Sequence, residues 1–423
     1  MTQMKDRHGR PVVVVTGMGV VTSLGQGKQE NWAKLTAGQS GIHTITRFPI
    51  EGLRTTIAGT VDFVPFENAP DLTTKMAALA GDEAVAEAGI ALGAFPGPLF
   101  LGMPPVELEW PQRQAIAAAS GKTADITYTD ILKGAAAKDF SAMQTRFLFG
   151  SVSDQLADRF GTKGAPISIS TACATGATAI QLAVEAIRRG ETGAALVVSA
   201  DGSANQESLV RFSLLSALST RNDDPTGAAR PFSKDRDGFV MAEGAGALVL
   251  ESYEHAKARG ATILGVVEGC GEMADSFHRT RSSPDGAPII GCIQNALEDA
   301  GVTPADVQYV NAHGTSTPEN DKMEYVGLAA VFGEHLAGIA VSSNKSMIGH
   351  TLSAAGAIEA VFTLMTINSG VIPPTINHTE ADPAIKLDLV PNTARKAKVT
   401  RAISSSFGFG GQNVCLVLAA EPT

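Results

Sequence analysis

Short apolar runs of β type alternate with long helical patterns along this chain, and the order of alternation occurs twice. In the first half the runs are Val12-Val13-Val14-Val15, Pro166-Ile167-Ser168-Ile169, Ala195-Leu196-Val197-Val198 and Ala245 to Glu251. A helical pattern from Thr178 to Arg189 follows the second run and stops at Gly190. Strands that alternate with helices build βαβ units and a layered α/β fold. The second half opens near Leu264-Gly265-Val266-Val267-Glu268-Gly269. It continues as strand, helix (Ile289 to Ala300, before Gly301), strand, loop, strand, loop and helix (Ala354 to Ile367). Residue identity between the halves is too low to count, so topology is duplicated rather than sequence. A chain of 423 residues suits two domains or a two-fold core, and the division expected is 1–260 and 261–423. Residues 65–150 are harder to read. Ala77 to Ala88 is helical in pattern, Pro96 to Leu101 reads as a turn and strand, and Met103-Pro104-Pro105-Val106-Glu107 breaks the pattern.

Composition narrows the function. Alanine and glycine are abundant while charged residues are 18% and aromatics 5%, which suits tightly packed layers. A net charge of −10 argues against general nucleic-acid binding. The cysteines (Cys173, Cys270, Cys292, Cys415) are far apart, with no CxxC and no zinc pattern, so a reducing, cytoplasmic location is expected. Val12 to Val15 resembles the start of a signal sequence, but Thr16, Gly17 and Gly19 interrupt it. No run reaches transmembrane length, and no integral membrane contact is expected. Gly17-Met18-Gly19-Val20-Val21-Thr22 resembles part of a dinucleotide fingerprint, yet the third glycine and the acidic residue are missing.

Three residues carry chemistry. Cys173 lies in Ser170-Thr171-Ala172-Cys173-Ala174-Thr175-Gly176-Ala177, between a strand read as buried and a buried helix. The free N–H groups and partial positive charge of a helix start favour a thiolate and can hold an oxyanion. On local context alone, a small buried hydrophobe and a nucleophile are both open readings. His313 lies in Asn311-Ala312-His313-Gly314-Thr315-Ser316-Thr317-Pro318, and His350 in Lys345-Ser346-Met347-Ile348-Gly349-His350. Each follows a short β-type run (Val307 to Val310, Ile339 to Val341), so both belong in loops at strand ends. The other histidines (His8, His43, His255, His278, His335, His378) read as mostly surface. A Cys-His-His zinc site is an alternative, opposed by the cationic Lys345 close by.

These motifs, with Ser406-Phe407-Gly408-Phe409-Gly410-Gly411-Gln412-Asn413, make the chain resemble the β-ketoacyl-acyl-carrier-protein synthases, condensing enzymes of the thiolase-like superfamily. The motifs stand in the family's order, and the likeness runs from about Gly150 to the C-terminus and returns near Val12 to Gly41. Cysteine with two histidines matches the elongating type, since the initiating type carries Asn for the second histidine. A chain-length factor, the non-catalytic relative, lacks the cysteine.

The resemblance implies a five-layered αβαβα fold of two similar halves with one active site where they meet. It implies an acyltransferase that condenses malonyl-carrier with an acyl group held on Cys173, extending fatty acyl chains by two carbons. His313 and His350 would polarise the malonyl thioester oxygen. Lys345 would tie the histidine loop to Asp321, Glu324 or Glu359. The N–H groups of Phe409 and Cys173 would form an oxyanion hole, with the Phe409 ring as a gate among Gly408 and Gly410. Thr315 and Thr317 would hold the phosphopantetheine arm, with Phe212 and Thr280 near the acyl and pantetheine paths. No cofactor or metal of its own is expected, because the arm comes on the acyl carrier protein; a homodimer is expected.

The chain departs from the elongating pattern in two places. The glycine-rich turn beside the acyl pocket is absent, where Met103-Pro104-Pro105 stands instead. The usual basic cluster before the first long helix is reduced to Lys75, and Leu215-Ser216 replaces a small-Arg pair. A dedicated carrier, or long or very long acyl chains, would account for both, with Lys75 and Arg221 as the docking residues left.

Overall fold

The computed structural model describes residues 4–421. Its first half supplies β1 (Val13–Thr22), α1 (Ala69–Glu87), β2 (Leu99–Gly102), β3 (Ile167–Ile169), α2 (Thr175–Arg188), β4 (Ala194–Asp201), α3 (Gln206–Leu214) and β5 (Gly244–Ser252). The second supplies β6 (Gly265–Ala274), α4 (Ala287–Ala300), β7 (Tyr309–Asn311), α5 (Pro318–Phe332), β8 (Ala340–Ser342), α6 (Ala355–Ser369), β9 (Arg401–Phe407) and β10 (Gln412–Ala419). In space the first five strands lie in the order β3-β2-β4-β5-β1, and the last five in the matching order β8-β7-β9-β10-β6. The senses match too: β3, β2 and β4 are mutually parallel, then β5 and β1 are antiparallel, as in the second set. The two sets join where Val13–Val15 of β1 pair antiparallel with Val267–Gly265 of β6.

Helices cover this mixed sheet in layers. On one outer side α1 packs on β1, β5 and β4. On the other outer side α4 packs on β6 and β10, and α5 on α4. Between the two strand sets lie α2 and α6, each touching strands of both. This is the five-layer order, helix–sheet–helix–sheet–helix. The inner helices approach closely because glycine meets backbone: a Cβ on Gly176 would lie 2.5 Å from Ala357 N, and one on Gly356 2.5 Å from Ala177 N. The apolar stretch Leu352–Ser369 has the length and hydropathy of a membrane span, but 83% of it is buried inside the fold.

Several local expectations change. Thr16 to Thr22 belongs to the first strand, which does not stop at Val15. It continues β1, which is buried throughout, with a register shift between Val15 and Gly17. Gly17 and Gly19 lie in it because α1 rests on them: added Cβ atoms would stand 2.0 Å from the Ala84 and Ala80 carbonyl oxygens. That packing role replaces the phosphate-binding one. Helix α1 begins at Ala69, ahead of the expected Ala77, because Asn68 caps the Asp71 N–H and Pro70 opens the first turn. β3 lies at the sheet edge with Ile167 exposed, so the strand before Cys173 is not fully buried. Residues 103–160, unread in the sequence, form four further helices after the Pro-Pro break: Trp110–Ala118, Tyr128–Ala137, Ser141–Arg146 and Phe149–Phe160. Among the remaining histidines His8 and His335 are exposed, while His43, His255, His278 and His378 are half-buried.

Candidate active site

Cys173 sits in a single 3-10 turn, Ala172–Ala174, that leads into α2. The elbow is tight: Ala172 holds φ at 49°, a left-handed value unusual for alanine. Thr175 secures it, accepting the Thr171 N–H and donating to the Ala172 carbonyl. The second half builds the same elbow ahead of α6, with Leu352 at φ 47° and Ser353 at the position matching Cys173. The buried carboxylate of Asp201, at the end of β4, accepts the Ser353 N–H and so ties the second elbow to the first half.

The histidines arrive from the other half. His313 follows β7, and the Glu324 carboxylate of α5 accepts the N–H groups of His313 (2.7 Å) and Gly314 (2.8 Å), which fixes the loop. His350 ends the loop after β8, held where its N–H donates to the Val240 carbonyl. The reactive atoms of Cys173, His313 and His350 all lie within 4.8 Å of one another. The two imidazoles stand edge to face at 5.3 Å, with Phe239 packed on His350 and Phe407 on His313.

The electrostatics favour neutral imidazoles. Burial pushes both well below the usual histidine value, and the Lys345 charge pushes the same way. Nδ1 of His350 accepts the Leu352 N–H, and Nδ1 of His313 faces Lys345 Nζ at 3.4 Å. Lysine is only a donor. Both Nδ1 atoms are therefore acceptors, which assigns the protons to Nε2. Lys345 is fully buried and pairs with Glu359 of α6. Burial raises Glu359 to about 7, with Lys345 pulling it back. Of the three acids expected near Lys345, only Glu359 bonds it. Glu324 holds the His313 loop instead. Asp321 accepts the Phe232 and Ser316 N–H groups and faces Arg236. Three buried carboxylates sit close together because each has separate backbone donors or cations to satisfy.

Cys173 differs from expectation. Burial pushes its thiol up to about 11, while the Phe409 N–H and the Lys345 charge pull it down. Desolvation outweighs the helix start, so the residue rests as a thiol. The Phe409 N–H points at the sulfur from the glycine loop. Gly410 and Gly411 hold φ near 90°, and Gly408 passes so close to the elbow that a Cβ would lie 3.0 Å from the Thr171 carbonyl oxygen.

Two cavities meet at Cys173, sharing Phe212, Leu215, Leu352 and Phe409 as walls. One, of about 590 Å³, runs past Met103, Pro104, Pro105 and Val106 to Glu109 and Glu207. The other, of about 620 Å³, contains both histidines and leads out past Thr315, Thr317, His278 and Thr280. All the expected site residues except Lys345, Asp321, Glu324, Glu359 and Gly410 line one or both. Met103 to Pro105, expected beside the acyl pocket, line the first cavity, whereas Phe239, Phe407, Asp201 and His278 are site residues that the sequence does not single out. Long-range packing brings these four in. The docking residues expected from the sequence are internally occupied: Lys75 pairs with Asp71 and Arg221 with Asp235.

Comparison with known proteins identifies the family and the fold. Residues 10–256 match the beta-ketoacyl synthase N-terminal domain and residues 264–379 the beta-ketoacyl synthase C-terminal domain. The chain is 37% identical over 419 residues to the 3-oxoacyl-[acyl-carrier-protein] synthase 2 of Coxiella burnetii, covering 96% of this chain and 98% of that protein. It is 34% identical to a putative polyketide beta-ketoacyl synthase 1 of Streptomyces cyaneus, over 96% of this chain and 97% of that one. Among solved structures it matches the type II polyketide ketosynthase AntDE, in complex with its acyl-carrier protein AntF, with a TM-score of 0.86 at 33% identity, covering 97% of this chain and 100% of that chain. A beta-ketoacyl synthase of Burkholderia phymatum matches with a TM-score of 0.84 at 33% identity, over 97% and 100% of the two chains.

Proposed function

This chain belongs to the beta-ketoacyl synthase family, and from that premise we propose how its residues divide the condensation. It is an acyltransferase of the condensing class. In the first step the Cys173 sulfur attacks the thioester of an acyl-carrier protein. A C–S bond forms to Cys173, the bond to the carrier's sulfur breaks, and the thiol proton leaves with the carrier. Cys173 and Phe409 N–H groups hold the oxyanion of the tetrahedral intermediate. In the second step malonyl-carrier loses carbon dioxide, and its thioester carbonyl becomes an enolate. The Nε2–H groups of His313 and His350 hold that oxygen, so no strong base is needed. The enolate carbon attacks the acyl-Cys173 carbonyl, the Cys173 sulfur leaves and takes up a proton, and a 3-oxoacyl-carrier two carbons longer departs.

Lys345 acts through others: its charge, offset by Glu359, keeps His313 neutral. Glu324 positions the His313 loop and Asp321 the segment around Phe232. Thr315, Thr317 and Thr280 line the path of the phosphopantetheine arm, the prosthetic group that the carrier brings. Phe212 and Phe409 divide that path from the acyl cavity, whose volume supports a long acyl chain. The halves 1–260 and 261–423 each contribute one part, the nucleophile from the first and both histidines from the second. A homodimer in the cytoplasm is the setting proposed.

One observation carries this reading: a cysteine at a helix start and two neutral imidazoles lie within 4.8 Å at the junction of two cavities. The test is single-turnover acylation. Acyl-carrier protein should add one acyl group to Cys173, seen as a mass shift that iodoacetamide blocks. Added malonyl-carrier should then discharge it as 3-oxoacyl product with one carbon dioxide. An acyl group that still attaches to the Cys173→Ala protein would sink the assignment.

A further inference from the structure

We propose that the acyl cavity is built for a chain that carries a hydroxyl at its far end, where Glu109 and Glu207 read it. This deepens the condensing-enzyme reading and rests on it. The cavity, of about 590 Å³, has apolar walls from Ala69 and Pro70 of α1 and from Met103 to Val106 after the Pro-Pro break. The polar groups that interrupt those walls fall into two sets. Asp201, whose charge acts on Cys173, is already satisfied: it accepts the N–H groups of Ser203 and Ser353 (both 3.1 Å) and the Ser203 hydroxyl (2.5 Å). Asn205 is occupied as the cap of α3, accepting the Ser208 N–H at 2.9 Å. Recognition of a polar group close to the thioester therefore has little to work with.

The two glutamates differ. Glu109 is 7% exposed, and one of its oxygens accepts the Ala69 N–H (2.5 Å) at the start of α1. Glu207 accepts the Trp110 N–H at the start of the helix Trp110–Ala118. Neither is in an ion pair among the described residues, because the arginines of the flanking helices, Arg113 and Arg211, both pair with Glu107. The glutamates are close enough to feel each other: burial pushes the Glu109 carboxyl up, the Ala69 N–H pulls it back, and the Glu207 charge adds to the rise. A carboxylate offers about four lone-pair sites, of which these backbone donors fill only part. An alkyl terminus would strip water from the remaining sites and return no hydrogen bond. A keto terminus would bring one more acceptor to a place that already holds acceptors. A terminal hydroxyl donates to a carboxylate while the carbon chain behind it stays against the apolar walls. No cation is called for, since each carboxylate sits at a helix start, whose partial positive charge offsets its own.

The test is a ratio of two rates on one protein, so partial loss of folded enzyme cancels. Acyl chains of graded length are presented on the acyl carrier protein that loads the wild type fastest. Each length is supplied unsubstituted, with a terminal hydroxyl, and with a hydroxyl on the β carbon. Acylation of Cys173 is timed by intact-protein mass. At the length that reaches the glutamates, the terminal hydroxyl is expected to be favoured over the unsubstituted chain by about tenfold or more. Glu109→Leu with Glu207→Leu should bring that ratio to one or below. Glu109→Gln with Glu207→Gln keeps an acceptor for the Ala69 and Trp110 N–H groups and should lower the ratio by about threefold or more, because a hydroxyl bonds an amide oxygen less strongly than a carboxylate. A wild type that takes unsubstituted chains as fast as terminally hydroxylated ones at every length, or a ratio that survives in both double variants, overturns the proposal. A preference for the β-hydroxyl alone also overturns it, by moving recognition to Asp201. A wild type that no chain acylates instead defeats the condensing-enzyme reading.

Discussion

Removing one histidine at a time separates the two half-reactions. His313 and His350 are 2% and 3% exposed, so a charge that develops between them meets few competing water dipoles. A preorganised donor to an oxyanion in such a site is worth about 10²–10³ in rate, roughly 2.7–4 kcal/mol. His313→Ala and His350→Ala should therefore each slow carbon dioxide release from malonyl-carrier by well over about 100-fold. The double variant should lose far less than the product of the two, because both donors serve one oxygen. His350→Asn keeps an N–H near the same place and should lose less than His350→Ala. Acylation of Cys173 should suffer less than decarboxylation in His313→Ala, because the Phe409 and Cys173 N–H groups hold that oxyanion. Carbon dioxide release and burst acylation, followed separately by gas trapping and intact-protein mass, give the two rates. Equal loss in both steps in both alanine variants, or a loss of decarboxylation below about tenfold, would refute the division of roles.

Other consequences follow from the same geometry. Both histidines titrate below their ordinary range, so they stay neutral until the pH falls beneath it; decarboxylation by the Cys173→Ala protein should be flat from about pH 8 to about pH 6.5, and a midpoint near 6.5 would contradict their burial. Lys345→Met strands the buried Glu359 carboxylate and should cost about 3–5 kcal/mol in denaturant melts, while Lys345→Met with Glu359→Leu should recover much of it. Gly356→Ala should destabilise by about 1–3 kcal/mol, although alanine is ordinarily the better helix former, because its Cβ would press on Ala177 N at 2.5 Å; a neutral result would mean that α2 and α6 can part.

Much of this protein is legible in its amino-acid sequence. The apolar runs and glycine stops located most of the strands and the helices after Cys173 and His350, because period and punctuation are local signals. The motifs around Cys173, His313, Lys345, His350 and Phe409 pointed to the chemistry through their resemblance to the β-ketoacyl synthases; local context alone left Cys173 open between nucleophile and buried hydrophobe. What the chain alone left open depended on distance in space. Three acids were candidates to pair Lys345, and only packing of α6 under the histidine loop selected Glu359. A helix start argued for a thiolate at Cys173, but burial by elements remote in sequence left a thiol. Gly17 and Gly19 resemble part of a dinucleotide fingerprint until α1 is laid against them. Lys75 and Arg221 looked free until their acidic neighbours were in place, while Glu109 and Glu207 acquired a common location only once α3 met the segment after the Pro-Pro break. Local pattern determines which elements form; burial and charge pairing are sums over neighbours that only the folded chain assembles.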